Sequence, residues 1–436
     1  MYCAYVTELK GLRKHSNADK LMCVEVFGNN VIVDLSYKEG QRVVYFPSDG
    51  QLSEEFANDN SLVRRKDENG NNIGGYLDPN KRNITALKLR GEKSDGLVLP
   101  IEVLSRYTDI SKLKLGEQIT ILNGHEICKK YIPKRNRRNS TNRAKKVNKK
   151  ELKESSSFPY FLQHVDTAQL AYNMNTFKEG DTCYITRKLH GTSARTSNSL
   201  EIKKKKRNLI LKKVFKLKDK EYRSFKPVTG TRRVVLKDYE GGYYGSNVFR
   251  QKWHDFFKDK LPTGFCVFYE IVGWVDENRT IMPSCDNKKI KDKEFTKKFG
   301  KETVFSYGCE PGTNDIYVYR ITATVDDGTV VELPWEAVKV WCDIWGVKHV
   351  PELEKFLFTT PEDLKERVAK YNDNMPADEI GKTHVAEGVV VRIDNRKEFT
   401  AFKEKSWEFK VLENIVKDTA DAPDMEEEQE LEDEAV

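Results

Sequence analysis

Residues Asp181–Ser197 read DTCYITRKLHGTSARTS. The run CYITRKL, rich in β-branched and aromatic residues, predicts a strand that ends in the turn His190-Gly191-Thr192. Lys188 therefore stands where strand meets turn, a place from which a lysine can point into a cleft. Gly191 lets the backbone approach a ligand closely, and Thr192 and Ser193 offer hydroxyls. A lysine is a nucleophile only once deprotonated, which neighbouring cations, a metal or desolvation promote. Arg187, Arg195 and the run Lys203–Arg207 are the cations near it in sequence. Alone, a lysine three residues before a glycine is common, so its weight comes from its partners further along the chain.

Three β-rich segments lie downstream. FCVFYEIVGW (Phe265–Trp274) is an apolar strand interrupted by Glu270, and a buried carboxylate needs a partner such as a ribose hydroxyl or a metal. DIYVYRIT (Asp315–Thr322) alternates Tyr317, Tyr319 and Ile321 with Ile316, Val318 and Arg320, so Tyr319 is a candidate to stack on a purine. EGVVVRID (Glu387–Asp394) opens on an acid. After it, AFKEKSWEFK (Ala401–Lys410) sets Lys403 and Lys405 two apart, hence on one strand face, an arrangement that suits phosphate.

As a set, these residues resemble the covalent nucleotidyltransferases, the superfamily of polynucleotide ligases and RNA capping enzymes. The resemblance runs through Lys188-Leu189-His190-Gly191, Tyr269-Glu270-Ile271-Val272-Gly273, Tyr317 to Arg320, Glu387 to Val390, and Lys403-Glu404-Lys405. DNA ligases and capping enzymes usually carry Asp where this chain has His190; Lys188 to Thr192 is similar instead to RNA ligases that seal nicks in RNA. Arg207, nineteen residues after Lys188, falls near a basic motif of that group. DNA ligases and capping enzymes also carry an OB domain after the last motif. The short, mostly acidic remainder after Lys405 predicts none here. One departure is Arg187, where many relatives have an acid.

What the resemblance implies is an ATP-dependent RNA ligase that joins 5'-phosphate to 3'-hydroxyl ends through lysyl-AMP on Lys188. It implies that Lys403 and Lys405 hold the α-phosphate and take part in catalysis, and that Glu387 holds Mg2+ or Mn2+. Glu270 is expected to meet the ribose hydroxyls or share the metal, Tyr319 to stack on adenine, and Arg207 to grip a phosphate. His190, Gly191 and Arg195 are expected to line the nucleotide site, His190 as a hydrogen-bonding residue rather than a general base. The competing readings are a DNA ligase, a GTP-using capping enzyme, and an RNA-binding protein without catalysis.

The rest of the 436 residues fits this frame. Asp418–Val436 holds ten acidic residues and no basic one, so the first 417 residues carry a net +17, an excess that favours a polyanionic partner such as RNA. Lys129–Lys150 contains eleven Lys/Arg and no acid and predicts a flexible basic linker. Upstream, MCVEVF, NVIVDL and RVVYFP are short strands between turn clusters, while HSNADKL (His15–Leu21) and LKLRGEKSDGLVLP (Leu87–Pro100) resemble an OB-fold module of some aminoacyl-tRNA synthetases. Such a barrel offers a face and loops suited to nucleic acid; the alternative is that the two segments only build the barrel, with Asp19 and Ser94 capping turns. The expected fold is α+β: an OB-like β-barrel over 1–125, the linker over 126–154, a nucleotidyltransferase domain over 155–415 built of antiparallel, ATP-grasp-like sheets with flanking helices, and an acidic disordered tail over 416–436. The stretch from Arg320 to Glu387, partly helical at PEDLKERVAKYN, has no assigned role. Eight scattered cysteines without a CxxC pair predict reduced thiols in a cytosol-like compartment and show no zinc-site spacing, no apolar run is long enough to cross a membrane, and the expected assembly is a monomer.

Overall fold

The computed structural model describes residues 2–132, 157–205, 220–236, 239–240, 244–325 and 327–419. The chain divides into two units, Met1–Arg135 with Lys410–Pro423, and Asn136–Phe409 with Asp424–Val436. Most of the basic linker, Arg207 and the acidic tail from 420 onward lie outside the described residues.

In the first unit, strands β1 (Ala4–Glu8), β2 (Leu21–Val26), β3 (Asn29–Asp34), β4 (Arg42–Phe46) and β5 (Leu97–Pro100) form two sheets. One runs β5-β4-β1 and continues to Gln118–Ile119; the other joins Arg13–Lys14 to β2 and β3. The alternation expected of half-buried strands packs Val6, Val44 and Phe46 against Phe56 of helix α1 (Glu54–Asp59), which Ser53 caps by accepting the Phe56 N–H. The two motif segments of this unit bind each other. His15 Nε2 meets the Leu89 carbonyl at 3.0 Å and the Ser16 N–H donates to Glu92 Oε1 at 3.3 Å, while from neighbouring strands Arg13 pairs with Glu92 and Ser94 Oγ accepts the Ile32 N–H at 3.1 Å. Ser94 thus has an architectural role. Among the described residues these sheets remain open ladders and do not close into a barrel.

The second unit holds strands β6 (Thr182–Lys188), β7 (Thr192–Lys205), β8 (Lys220–Gly230), β9 (Phe265–Asp276), β10 (Asn314–Thr324), β11 (Glu352–Leu357), β12 (Gly388–Ile393) and β13 (Thr400–Lys405). They form two sheets. The first runs β13-β12-β6-β11, with Ala168–Gln169 on the outer edge of β13; the second runs β8-β7-β9-β10 and continues to Val330–Glu332. On the first sheet, the two-residue period turns Cys183, Ile185, Val389, Val391 and Phe402 into a core with Leu364 and Val368 of helix α4 (Pro361–Asn372). The opposite face is left with Lys188, Lys403 and Lys405. The stretch without an assigned role thus supplies helix α3 (Trp335–Trp345), the edge strand β11 and the helix α4 that buries the core face. Thr360 and Pro361 start α4, the threonine Oγ1 accepting the Asp363 N–H.

The expected alternation along β10 is broken. Its register with β9 shifts between Phe268 and Tyr269, pairing Phe268 with Arg320 and Tyr269 with Val318, so Tyr319 is the extra residue of a bulge. Arg320 therefore does not point away from Tyr319. Its guanidinium lies 4.5 Å from the Phe268 ring centroid, and Tyr319 packs against the cluster that contains Phe268. All eight cysteines are free thiols.

Candidate active site

The two sheets of the second unit are joined by Lys188-Leu189-His190-Gly191-Thr192, which carries the chain from the end of β6 to the start of β7. Lys188 pairs with Gly388 on β12, and Gly388 pairs with Lys405 on β13. The two lysines thus flank a glycine on the strand between them, with no side chain to separate them. A Cβ on Gly388 would fall 2.1 Å from the Glu404 carbonyl oxygen, so only glycine lets these strands close here. Glu387, the residue before it, is 2 % exposed. Its Oε1 receives Lys188 Nζ at 2.8 Å and Lys405 Nζ at 3.9 Å. Its Oε2 is buried without a hydrogen-bond partner. A buried carboxylate facing two ammoniums is held in place, while its bare oxygen costs about 1–3 kcal/mol unless something binds it.

The turn is anchored from both sides. Glu270 Oε1 accepts the Gly191 N–H at 3.1 Å and Oε2 accepts the Ser193 hydroxyl at 2.9 Å. A Cβ on Gly191 would meet the Ile271 carbonyl oxygen at 2.3 Å, which explains the glycine. Both Glu270 oxygens are engaged, whereas Glu387 Oε2 beside the two lysines and Asp378 Oδ2 behind the turn are bare. The His190 N–H donates to the Tyr307 hydroxyl at 2.6 Å, and the His190 ring stands edge-on to Phe305 and Phe409, with centroids 4.7 and 4.8 Å away. Phe409 also lies under Lys405 Nζ, 5.7 Å from its centroid. Thr192 Oγ1 accepts from Arg250 of helix α2 (Val248–Phe257) at 2.6 Å.

Behind the turn, Tyr307 is buried and its hydroxyl is raised well above its ordinary pKa, by burial first and then by the charges of Asp378 and Glu387. Asp378 is buried too, and burial pushes its carboxyl up to about 7. His384, 4.5 Å from the Tyr307 ring, is held neutral by burial, which lowers it to about 4.

Tyr319 stands on β10 of the second sheet. Its hydroxyl shares a hydrogen bond of 2.9 Å with His164 Nδ1. Burial and the nearby Arg232 lower the His164 ring to about 3, and Lys403 is among the cations that bear on it. Arg195, expected at the nucleotide, is 1 % exposed and donates to the carbonyls of Thr231, Phe161, Leu162 and Arg233. Its guanidinium is committed to holding two loops. Arg187 is likewise buried, forked onto Glu379 at 2.6 Å and bonded to the Gly388 carbonyl. The structure therefore gathers Lys188, Glu387 and Lys405, joins Gly191 to Glu270, and brings the charge of Lys403 to the His164–Tyr319 pair. It commits Arg195 to backbone. Sequence reasoning missed Tyr307 and His164, which sit in loop segments with no spacing signal.

The donor set bears on a metal. Among the described residues no group of three or more His, Cys, Asp or Glu side chains gathers to hold an ion. A single buried carboxylate with one bare oxygen fits a Mg2+-like ion that takes its remaining ligands from phosphate and water.

A family model for RNA ligases matches residues 181–412, more than half of the chain, and the chain belongs to that family. Solved structures of Naegleria gruberi RNA ligase share the fold. A lysine-to-alanine variant with ATP and Mn is 16 % identical with a TM-score of 0.56, over 93 % of this chain and 98 % of that one. The enzyme with PPi is 18 % identical at 0.56, over 96 % and 99 %. A lysine-to-methionine variant with AMP and Mn is 17 % identical at 0.55, over 93 % and 97 %. Among curated proteins no match is found.

Proposed function

We propose that this RNA ligase uses ATP to seal 5'-phosphate and 3'-hydroxyl RNA ends through lysyl-AMP on Lys188. The observation that carries this is Lys188 Nζ lying 2.8 Å from a buried carboxylate that also faces Lys405 across a glycine. The Naegleria structures with ATP, AMP and PPi support the choice of nucleotide.

In the first step the Lys188 ammonium gives one proton to water to become a neutral amine, its Nζ bonds to the α-phosphorus as the bond from phosphorus to the bridging oxygen breaks and pyrophosphate leaves, and a second proton passes to water to give the phosphoramidate N–H. When Lys188 turns neutral, Glu387 stays paired because Lys405 remains on the same oxygen. Lys405 and Lys403 then face the phosphate oxygens, where fixed cations offset developing charge. Glu270 fixes the turn through Gly191 and Ser193, holding Lys188 in line, and its outer lone pairs suit ribose hydroxyls. Tyr319, steadied by His164, is the proposed adenine platform, and Arg207 the proposed phosphate contact. Glu387 Oε2 would hold a divalent ion, which when bound neutralises phosphate charge. AMP then passes to the RNA 5'-phosphate, and the 3'-hydroxyl displaces it to form the phosphodiester.

The first unit, whose two motif segments lock together as a β-scaffold, is proposed as an OB-type module that assists RNA or pyrophosphate. With eight free thiols, we place the protein in a reducing compartment such as the cytosol. Incubation with α-labelled ATP tests the central reading. The expected result is a stable labelled protein, lost in Lys188→Ala, that passes its label to nicked RNA. Labelling by GTP without ATP overturns it.

A further inference from the structure

Strands β7 and β8 pair without interruption from Arg195 opposite Gly230 to Lys205 opposite Lys220. β7 pairs with β9 only from Thr192 to Ser197. Beyond Ser197 the two strands therefore run on as an arm, Asn198–Lys205 against Lys220–Pro227. At roughly 3.3 Å per residue the arm extends for about 26 Å. All residues from Glu221 to Pro227 are exposed.

The arm's two faces differ. The two-residue period that aims Ser193 at Glu270 places Ser199, Glu201 and Lys203 on the same side, opposite Lys226, Ser224 and Tyr222 on β8. Glu201, nearly fully buried, receives Lys203 Nζ at 2.7 Å and Lys226 Nζ at 2.9 Å. The one acid on this face is thus covered by two ammoniums, whose side chains are 59 % and 49 % exposed. Arg223 projects from the other face, 66 % exposed, and Tyr222 and Phe225 are exposed aromatics. The sixteen residues of the arm hold six Lys/Arg and two acids.

We propose that this arm is an RNA-binding surface that tracks the phosphates of the strands flanking the reacting ends. The proposal rests on the RNA-ligase reading above. Along this face Arg195, Ser197 and Ser199 are buried, and exposed cations begin at Lys226 and Lys203 where that buried stretch ends, within reach of a nucleic acid strand that extends past the site. Lysine and arginine with interleaved aromatics suit sequence-independent contact with backbone and unstacked bases. An A-form duplex offers its phosphates and shallow minor groove to such a ribbon.

The test uses the full chain, a nicked RNA duplex, and titrations across a salt series. In the variant Lys203→Gln, Arg223→Gln, Lys226→Gln, the change Glu201→Gln is added so that no buried carboxylate loses its partners. The expected result is a logarithmic salt slope smaller by about 2, at roughly 0.7–0.9 per phosphate contact, and affinity at 0.1 M salt about 10-fold weaker. Lysyl-AMP formation from ATP is expected to be unchanged, which also reports that the variant is folded. Arg223→Gln alone, which disturbs no buried group, is expected to lower the slope by about 0.7–0.9. Wild-type slope and affinity in both variants would overturn the arm alone, provided the parent protein seals RNA. A parent that forms lysyl-AMP but never joins RNA overturns both readings. Displacement of RNA from the parent, but not from the variants, by poly-glutamate would assign the arm to an acidic protein instead.

Discussion

At the scale of single residues, the turn after Lys188 depends on a group that takes no part in chemistry. The Tyr307 hydroxyl accepts the His190 N–H, and Tyr307→Phe leaves that buried donor without a partner, a loss of about 1–3 kcal/mol. Because the same turn sets the aim of Lys188, single-turnover lysyl-AMP formation is expected to slow about 10-fold, the rate equivalent of roughly 1.4 kcal/mol. The buried Asp378 gives a pH signature. Its folded pKa is raised to about 7, with burial the first cause, the Ile380 N–H and Arg187 opposing and Glu379 and Glu387 adding to it. The folded protein keeps this proton at pH values where the unfolded chain has lost it. The stability it contributes is therefore complete below about pH 4 and lost as pH rises toward about 7. His384 acts in the opposite sense: its stability is complete above 6.5 and lost as pH falls toward about 4. Asp378→Asn removes the first effect and leaves the second. Thermal melts are expected to show the variant gaining on the parent by on the order of 5 °C between pH 5 and pH 8. A constant difference between the two proteins across that range would contradict the assignment.

At the scale of the element, Gly388 is where strand packing and chemistry meet. Gly388→Ala forces a Cβ to within 2.1 Å of the Glu404 carbonyl oxygen, so β13 must shift and carry Lys405 away from Glu387. Overpacking costs about 1–3 kcal/mol, and a 1 Å misplacement costs about 100-fold in rate. Val389→Ala, on the core face of the same strand, is expected to cost similar stability while keeping lysyl-AMP formation, so melts paired with labelling separate the two faces. The same strands show what was legible in the sequence. Glu270 is legible because a charge inside an apolar strand needs a chemical reason, Glu387 because an acid opens the apolar run Gly388–Ile393, and Lys403 and Lys405 because two cations two residues apart share one strand face. Arg195 was read toward the nucleotide because its charge was visible, but the carbonyls of Phe161, Leu162, Thr231 and Arg233 come from loops that no local pattern joins to it. The bulge at Tyr319 was hidden for a related reason: a register slip belongs to a strand pair, not to one strand. Residues 321–386 seemed without a role because an edge strand and a covering helix show their purpose only once β6 and its core are assembled.

At the scale of the whole molecule, charge is sorted by region. Deleting residues 420–436 removes nine acids and no base, changing the net charge from +7 to +16 while leaving the helix Trp407–Thr419 intact. Long-range fields steer association when screening is weak: the Debye length is about 30 Å at 0.01 M salt and roughly 8 Å at 0.15 M. If the tail acts only through this field, stopped-flow association with nicked RNA is expected to speed up about 10-fold near 0.01 M salt and less than about 2-fold near 0.3 M. Turnover for lysyl-AMP at saturating ATP is expected to stay the same, because binding is then complete in both proteins. A tail that instead lies on the cations used by RNA must be displaced at every salt concentration, and its removal would then accelerate association by a similar factor at both. The ratio of the two gains therefore distinguishes a repelling cloud from a competing ligand.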